Sequence, residues 1–239
     1  MERAAEDILR RASRVIDMEL SHGTGAIKTH VLFDDMWGSV PAETMYQLKK
    51  TYRDRINLQA IVPWVPEKEA ELRRLAKAGM VDFLGGYPTL TPDYRETVDG
   101  LFAFAREYDL PIDLHVDEAD EPNVDCFEYV LEQTIACGMQ GRVSAGHVTA
   151  LCAVADDRAR RAIARAREAQ INIITLPSCN MYLMGRKDRQ PIRRGVTRVD
   201  EFLKAGVNVA YASDNIRDPF RPFGNGNLLE EGLFCAQVL

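Results

Sequence analysis

Short apolar runs alternate with amphipathic stretches along the chain, and each pair takes roughly 30 residues. The runs "GAIKTHVLF" (25–33), "NLQAIVPW" (57–64), "MVDFLGGYP" (80–88) and "PIDLHVDE" (111–118) predict strands. So do "RVSAGHVT" (142–149), "INIITLPS" (171–178) and "VNVAYASD" (207–214). Helical patterns fill the intervals near 41–53, 66–78, 92–108, 125–138, 157–169 and 198–205, and a further helix, 2–20, opens the chain. Proline and acids in "VPAET" (40–44) and "TPDYRE" (91–96) suit a first helical turn. The glycines closing "AKAG" (76–79), "IACG" (135–138) and "LKAG" (203–206) read as helix C-caps.

Strands that alternate with helices pair in parallel, and strands covered on both faces are apolar throughout. Seven such units suit a doubly wound open sheet or most of a (β/α)8 barrel. An open sheet would more often carry a Gly-rich loop after its first strand, and none is visible. Polar groups collect instead at the C-terminal ends of 111–118, 142–149 and 207–214, the end where barrels keep their chemistry. The expectation is an α/β fold: a (β/α)8 TIM-like barrel represented by strands 2–8, its first strand lying outside the printed residues. At 239 residues and 46 % hydrophobic, with no low-complexity linker, residues 1–239 are expected to form a single domain.

A formal charge of -6 argues against nucleic acid, which needs clustered Lys and Arg. The densest basic run, "RARRAIARAR" (158–167), has helical spacing and reads as a solvated helix face. No run approaches the roughly 18 apolar residues that span a bilayer. The charged opening "MERAAEDILRRASR" does not read as a signal peptide, so a cytoplasmic location is expected. Cys126, Cys137, Cys152, Cys179 and Cys235 form no CxxC pair, which points to a reducing compartment and away from a thiol nucleophile or a cysteine zinc site. The Gly-rich "PFGNGN" follows the last strand and lacks the Lys-Ser/Thr of a phosphate loop.

The candidate chemistry rests on few residues. Of the four histidines, His22 sits in a helix-to-strand turn, and His30 reads as a packed strand residue or one facing the barrel mouth. His115 and Glu118, three apart at a strand end, pair an imidazole able to bind a divalent metal with a carboxylate able to exchange protons. The bland alternative is a buried histidine followed by a solvated acidic turn, "DEADEP". His147 ends the next strand among small neighbours, and Asp214 ends the last, where it could also cap a helix. His, His and Asp on three separate strand ends favour a metal-dependent hydrolytic site. Trp64 and Phe220 would stack on a flat heterocycle or simply pack in the core.

The segments "HVDEAD", "AGHVTA", "MYLMGRKDRQPIRRGVTRVDEFLKAGVN" (181–208) and "ASDNIRDPFRPFGNGN" (212–227) resemble the bacterial cytosine deaminases and their close relatives in the amidohydrolase superfamily. The resemblance runs in order from about residue 25 to the end. It implies one divalent metal, Zn2+ or Fe2+, with His115 and Asp214 as ligands. It implies Glu118 as proton shuttle to a ring nitrogen, His147 as the group that polarises the hydrolytic water, and Asp214 as acceptor of that water's proton. The implied reaction is hydrolytic deamination of a nitrogen heterocycle by a homo-oligomer, without nucleic-acid or membrane partners.

Several departures mark the chain. It contains no HxH pair of metal ligands, and the small β-sandwich of the family is absent from it. Trp64 stands in "VPWVP", where the deaminases place a Pro-Gln. Asn215 follows Asp214 where they have a second Asp, and Phe220 replaces a Trp; "SDNIRD" and "PFGNG" resemble instead the relative acting on amino-substituted s-triazines. Asn215, Phe220 and Trp64 are thus the candidate substrate-binding residues. Removal of an amine from an s-triazine, or opening of a cyclic amide, is the alternative activity. A catalytically incomplete α/β fragment is the alternative outside enzymes.

Overall fold

The computed structural model describes residues 2–238, and every predicted apolar run contains a strand. These are β1 (Ala26–His30), β2 (Asn57–Pro63), β3 (Phe83–Gly86), β4 (Ile112–Val116), β5 (Val143–His147), β6 (Asn172–Thr175) and β7 (Asn208–Tyr211). The helices are α1 (Glu2–Ser21), α2 (Val40–Tyr52), α3 (Glu69–Lys77), α4 (Tyr94–Glu107), α5 (Asp125–Ala136), α6 (Asp156–Glu168), α7 (Pro177–Leu183), α8 (Val199–Lys204) and α9 (Leu228–Val238). The three predicted glycine caps adopt positive φ at Gly79, Gly138 and Gly206. In each case the next residue's N–H reaches back to the helix, as in Met80 to the Leu75 carbonyl, which closes the orphan carbonyls of the last turn.

Residues pack into two compact units. The first comprises the chain up to Gly86 together with Gly100–Asp113. Here β1, β2 and β3 pair in parallel, with His30 opposite Ile61 and Ile61 opposite Phe83. Leu58, Ile61, Leu72, Leu75, Leu84, Leu101 and Phe102 are fully buried. Gly100 admits close approach: a Cβ there would lie 2.3 Å from the Trp64 ring. Trp64 is thus laid against α4 within this unit. Lys28 pairs with the buried Asp113, and His30 Nε2 lies 3.4 Å from the same carboxylate. His30 therefore sits in a packed polar cluster of β1 and β4.

The second unit comprises Tyr87–Asp99 and the residues from Leu114 onward. Strands β5, β6 and β7 pair in parallel, with Ala145 opposite Ile173 and Ile173 opposite Val209. Its core holds Leu114, Val116, Phe127, Leu131, Val143, Ile173 and Phe202. The basic run lies on α6 with Ala159, Ala162, Ile163 and Ala166 buried. Arg161 and Arg165 face solvent and pair within the helix, with Asp157 and Glu168. Helix α7 takes over the end of the predicted strand 171–178, because Pro177 supplies the fixed φ of a first helical turn and no ladder N–H.

Candidate active site

Along β4, Leu114 and Val116 bury one face, and the alternation turns His115 to the other. His147 ends β5 with φ +67 and only 2 % exposure, followed by Val148 at φ +49. A left-handed β-branched residue is strained by about 1–3 kcal/mol and persists only where its surroundings dictate it. Val148 is held by its N–H on the Val116 carbonyl, and Ala150 by that of Asp117. The turn re-aims the His147 ring away from the strand's own continuation. Asp214, beyond β7, is also left-handed, at φ +58.

These departures bring three side chains together. One ligand atom each from His115, His147 and Asp214 lies within 4.8 Å of the others. The two imidazole centroids are 4.9 Å apart, and Tyr87 packs 4.5 Å from His115. Two imidazoles and a carboxylate are the donor set of catalytic zinc and non-haem iron sites, so the residues fit a divalent ion. His147 Nε2 is buried with no hydrogen-bond partner among the described residues, as an atom aimed at a ligand would be. Burial, with the Asp214 and Glu118 charges behind it, pushes the Tyr87 hydroxyl pKa up and keeps it a neutral donor.

The acidic turn after β4 is tied into the fold at Asp117, Ala119 and Asp120, while Glu121 and Pro122 are exposed. Asp117 is 3 % exposed and accepts from Phe127 N–H at 2.8 Å and from Thr89 Oγ1 at 3.2 Å. It caps α5, whose own N-cap position is the apolar Val124. Burial raises the Asp117 pKa to about 6 against these hydrogen bonds. Ala119 N–H donates to Thr149 Oγ1, and Asp120 accepts from Gly185 N–H at 2.9 Å. Glu118 turns toward the histidine cluster, its Oε1 3.1 Å from His147 Nδ1.

Asn180, on α7, was not singled out by sequence. It is fully buried, and its Nδ2 lies 2.9 Å from His147 Nδ1 and 3.4 Å from Glu118 Oε1. The signal that could have found it is Pro177 after a strand, which starts a helix and turns the next polar residues back onto the strand ends. Cys179 beside it donates toward Asn215 Oδ1 at 3.6 Å, and burial with the nearby Asp214 charge raises its pKa. Burial likewise pushes Cys126 up to about 12, so neither thiol is a thiolate nucleophile. All five cysteines are free.

The loop beyond Asp214 is internally fixed. Asn215 Nδ2 donates to Asp218, whose other oxygen accepts from the N–H groups of Phe220 and Arg221. Arg221 and Glu231, both nearly fully buried, pair at 2.9 Å, and Glu231 also accepts from the Ser178 hydroxyl and N–H. His115, Glu118, His147, Asp214 and Asn215 therefore all lie in the second unit. Phe220 is 60 % exposed on its loop, and Trp64 belongs to the first unit.

The chain is 32 % identical to a pterin deaminase of Rhizobium rhizogenes, over 99 % of this chain and 55 % of that protein. It is 27 % identical to an N-isopropylammelide isopropyl amidohydrolase of a Pseudomonas strain, over 98 % of this chain and 57 % of the other. The crystal structure of 5-methylcytosine deaminase from Klebsiella pneumoniae liganded with phosphonocytosine superimposes with a TM-score of 0.90 at 30 % identity, covering 98 % of this chain and 60 % of that one. That match shows the fold to be the strand-and-helix repeat of a partial (β/α)8 barrel. The chain spans little more than half the length of these relatives. A family model described as the amidohydrolase family matches residues 31–232, and the chain belongs to that family.

Proposed function

We propose that the protein is a metal-dependent hydrolytic deaminase of a nitrogen heterocycle of the cytosine, amino-pyrimidine or pterin kind, releasing ammonia. The observation that carries this reading is the inward Glu118 carboxylate beside His147, at the rim of a His–His–Asp cluster. Addition of water to an amine-bearing ring carbon calls for a proton on the adjacent ring nitrogen, and an inward carboxylate in that place can deliver it. Relatives named as a pterin deaminase and a 5-methylcytosine deaminase support the same class.

In this proposal His115 and Asp214 hold a divalent ion, Zn2+ or Fe2+. The ion would lower the pKa of a bound water to about 7 and so supply hydroxide at neutral pH. Asp214 accepts the proton of the attacking water. Glu118 delivers a proton to the ring nitrogen next to the reacting carbon, which makes that carbon electrophilic and neutralises charge as the tetrahedral centre forms. His147 hydrogen-bonds the nucleophile and holds it over the ring. Asn215 meets the heterocycle's polar edge, and Phe220 and Trp64 provide aromatic surface. Residues 1–239 count here as one partial barrel domain of a cytoplasmic, homo-oligomeric enzyme without nucleic-acid or membrane partners. Among the described residues no helix is long and apolar enough to cross a membrane.

Ammonia release from a panel of cytosine, isocytosine, pterin, guanine and amino-s-triazine tests the reading. Release from the pyrimidines or pterin supports it. Exclusive release of an alkylamine from an N-alkylated triazine selects the second reading, which Asn215 and the Pseudomonas relative favour. Protein that takes up no metal and turns over nothing would be the incomplete fragment.

A further inference from the structure

We propose that Arg186, Tyr182 and Phe223 form an outer subsite that receives a carboxylate carried on the outward edge of the bound heterocycle. The substrate would then be an anionic, acid-substituted ring. The inference narrows the substrate class of the deaminase reading and rests on that reading for what enters the inner cluster.

Residues 180–186 run along the rim of the site and are pinned there at three points. Asn180 Nδ2 lies 2.9 Å from His147 Nδ1, Thr149 Oγ1 donates to Met184 Sδ at 3.5 Å, and Gly185 N–H donates to the Asp120 carboxylate at 2.9 Å. Thr149 is two residues past His147, and Asp120 is two past Glu118. Phe223 is pinned on the Asp214 side. Its neighbour Gly224 packs on Asn215, where an added Cβ would lie 2.4 Å from the carbonyl oxygen. The two segments meet through Tyr182 and Phe223, edge to face, with ring centroids 5.8 Å apart. Phe223 is still 75 % exposed, an apolar ring beside the cluster with a face left to cover.

Arg186 supplies the charge. Its guanidinium lies 4.3 Å from the Tyr182 ring centroid, and its Nε donates to the Tyr182 carbonyl at 2.9 Å. These contacts hold the plane of the fork and leave Nη1 and Nη2 without a hydrogen bond among the described residues. A guanidinium laid on a ring and open at its tip meets a carboxylate through two parallel hydrogen bonds. The neighbouring residues reinforce it. Residues 186–194 hold five cations and one acid in a chain of net charge -6, and that acid, Asp188, is taken by Arg193 at 2.7 Å. Lys187 and Arg189 are exposed and make no ion pair among the described residues. The local field therefore favours an anion although the chain as a whole is acidic. A neutral heterocycle would use none of this charge.

Binding decides it. Titration calorimetry on the zinc-loaded chain, carrying Glu118→Gln so that ligand is not consumed, compares pterin with pterin-6-carboxylate and cytosine with cytosine-5-carboxylate. At least one acid is expected to bind about fivefold or more tighter than its neutral parent. Added to that chain, Arg186→Gln is expected to bring the two within about twofold by weakening the acid. Phe223→Leu should weaken acid and parent alike, since it removes stacking area and no charge. Both side chains are exposed, so neither substitution opens the core. Acids that bind no better than their parents, or a preference that survives Arg186→Gln, overturn the subsite. So does an Arg186→Gln loss equal for acid and parent, which would make the residue structural. Free acetate that tightens neutral pterin as much as the linked carboxylate does would assign the fork to a separate anion and overturn the proposal too. An acid preference that Arg186→Gln removes, in a chain that with Glu118 restored releases no ammonia from any heterocycle, supports the subsite and overturns the deaminase reading. Ammonia release with equal affinity for acid and parent does the reverse.

Discussion

The carboxylate of Glu118 stands 3.1 Å from Nδ1 of His147, Glu118 two residues past the end of β4 and His147 the last residue of β5, with left-handed backbone at Asp117 in one case and at His147 itself in the other. In the proposed mechanism this pairing separates proton transfer from metal binding. Glu118→Gln keeps the shape and removes the exchangeable carboxyl proton. Turnover is expected to fall by about 10²–10⁴-fold, with folding and metal content intact. Ammonia release at the wild-type rate would take Glu118 out of the mechanism.

His115 has the opposite profile. It lies within 4.8 Å of the Asp214 and His147 ligand atoms, so His115→Ala removes a nitrogen donor from the cluster while the strand's buried face, Leu114 and Val116, is untouched. The variant is expected to fold and to lose most of its bound metal, measured by elemental analysis after dialysis. Full metal occupancy would place the ion elsewhere.

Asp117 gives the site a pH signature. Its pKa rises from an ordinary 3.8 to about 6 on folding, chiefly through burial. A group raised in this way is fully tolerated below the lower value, and its contribution is lost as pH climbs through the upper one. Asp117→Asn retains an acceptor for the Phe127 N–H and carries no charge. Between pH 4 and pH 7 the variant should gain on the wild type by roughly 1–3 kcal/mol, read from urea unfolding. A difference that does not change with pH would show that burial does not oppose ionisation here. Asp117→Ala, which leaves α5 uncapped, should cost about 1–2 kcal/mol even at pH 4.

Much of this was legible beforehand because the signals are local. Every strand lay inside its apolar run, and Gly79, Gly138 and Gly206 ended their helices as their positions predicted. His115, His147 and Asp214 were readable because strand ends are where a parallel α/β fold gathers polar groups. What stayed hidden was long-range. Nothing in "DEADEP" says that Asp117 caps a helix in place of Val124, or that Asp120 holds Gly185 N–H, since both partners come from elsewhere in the chain. Asn180 lies just past the run 171–178 that reads as strand, and only Pro177 marks the helix that carries it. By sequence Trp64 suits a stacking surface or packing alike, and its ring rests on Gly100 of α4.

The buried pair Arg221–Glu231 makes the last prediction, because it fixes the loop that carries Asp214. Arg221 and Glu231 are 5 % and 1 % exposed, and Arg221 also reaches the Ser213 carbonyl at 3.4 Å. Burial raises the Glu231 pKa even with the guanidinium and the Ser178 donors beside it. Removing one partner strands the other charge without solvent, so Arg221→Met or Glu231→Met alone should cost about 3–5 kcal/mol. Replacing both together removes the stranded charge and should cost clearly less than the two single losses added, a coupling that a double-mutant cycle in urea reads directly. Because the pair lies next to Ser213, the double variant should keep its fold yet bind metal more weakly, as Asp214 loses its fixed approach. Additive single losses would mean that the two charges are solvated separately, and metal affinity unchanged in the double variant would mean that Asp214 is held by its own strand end alone.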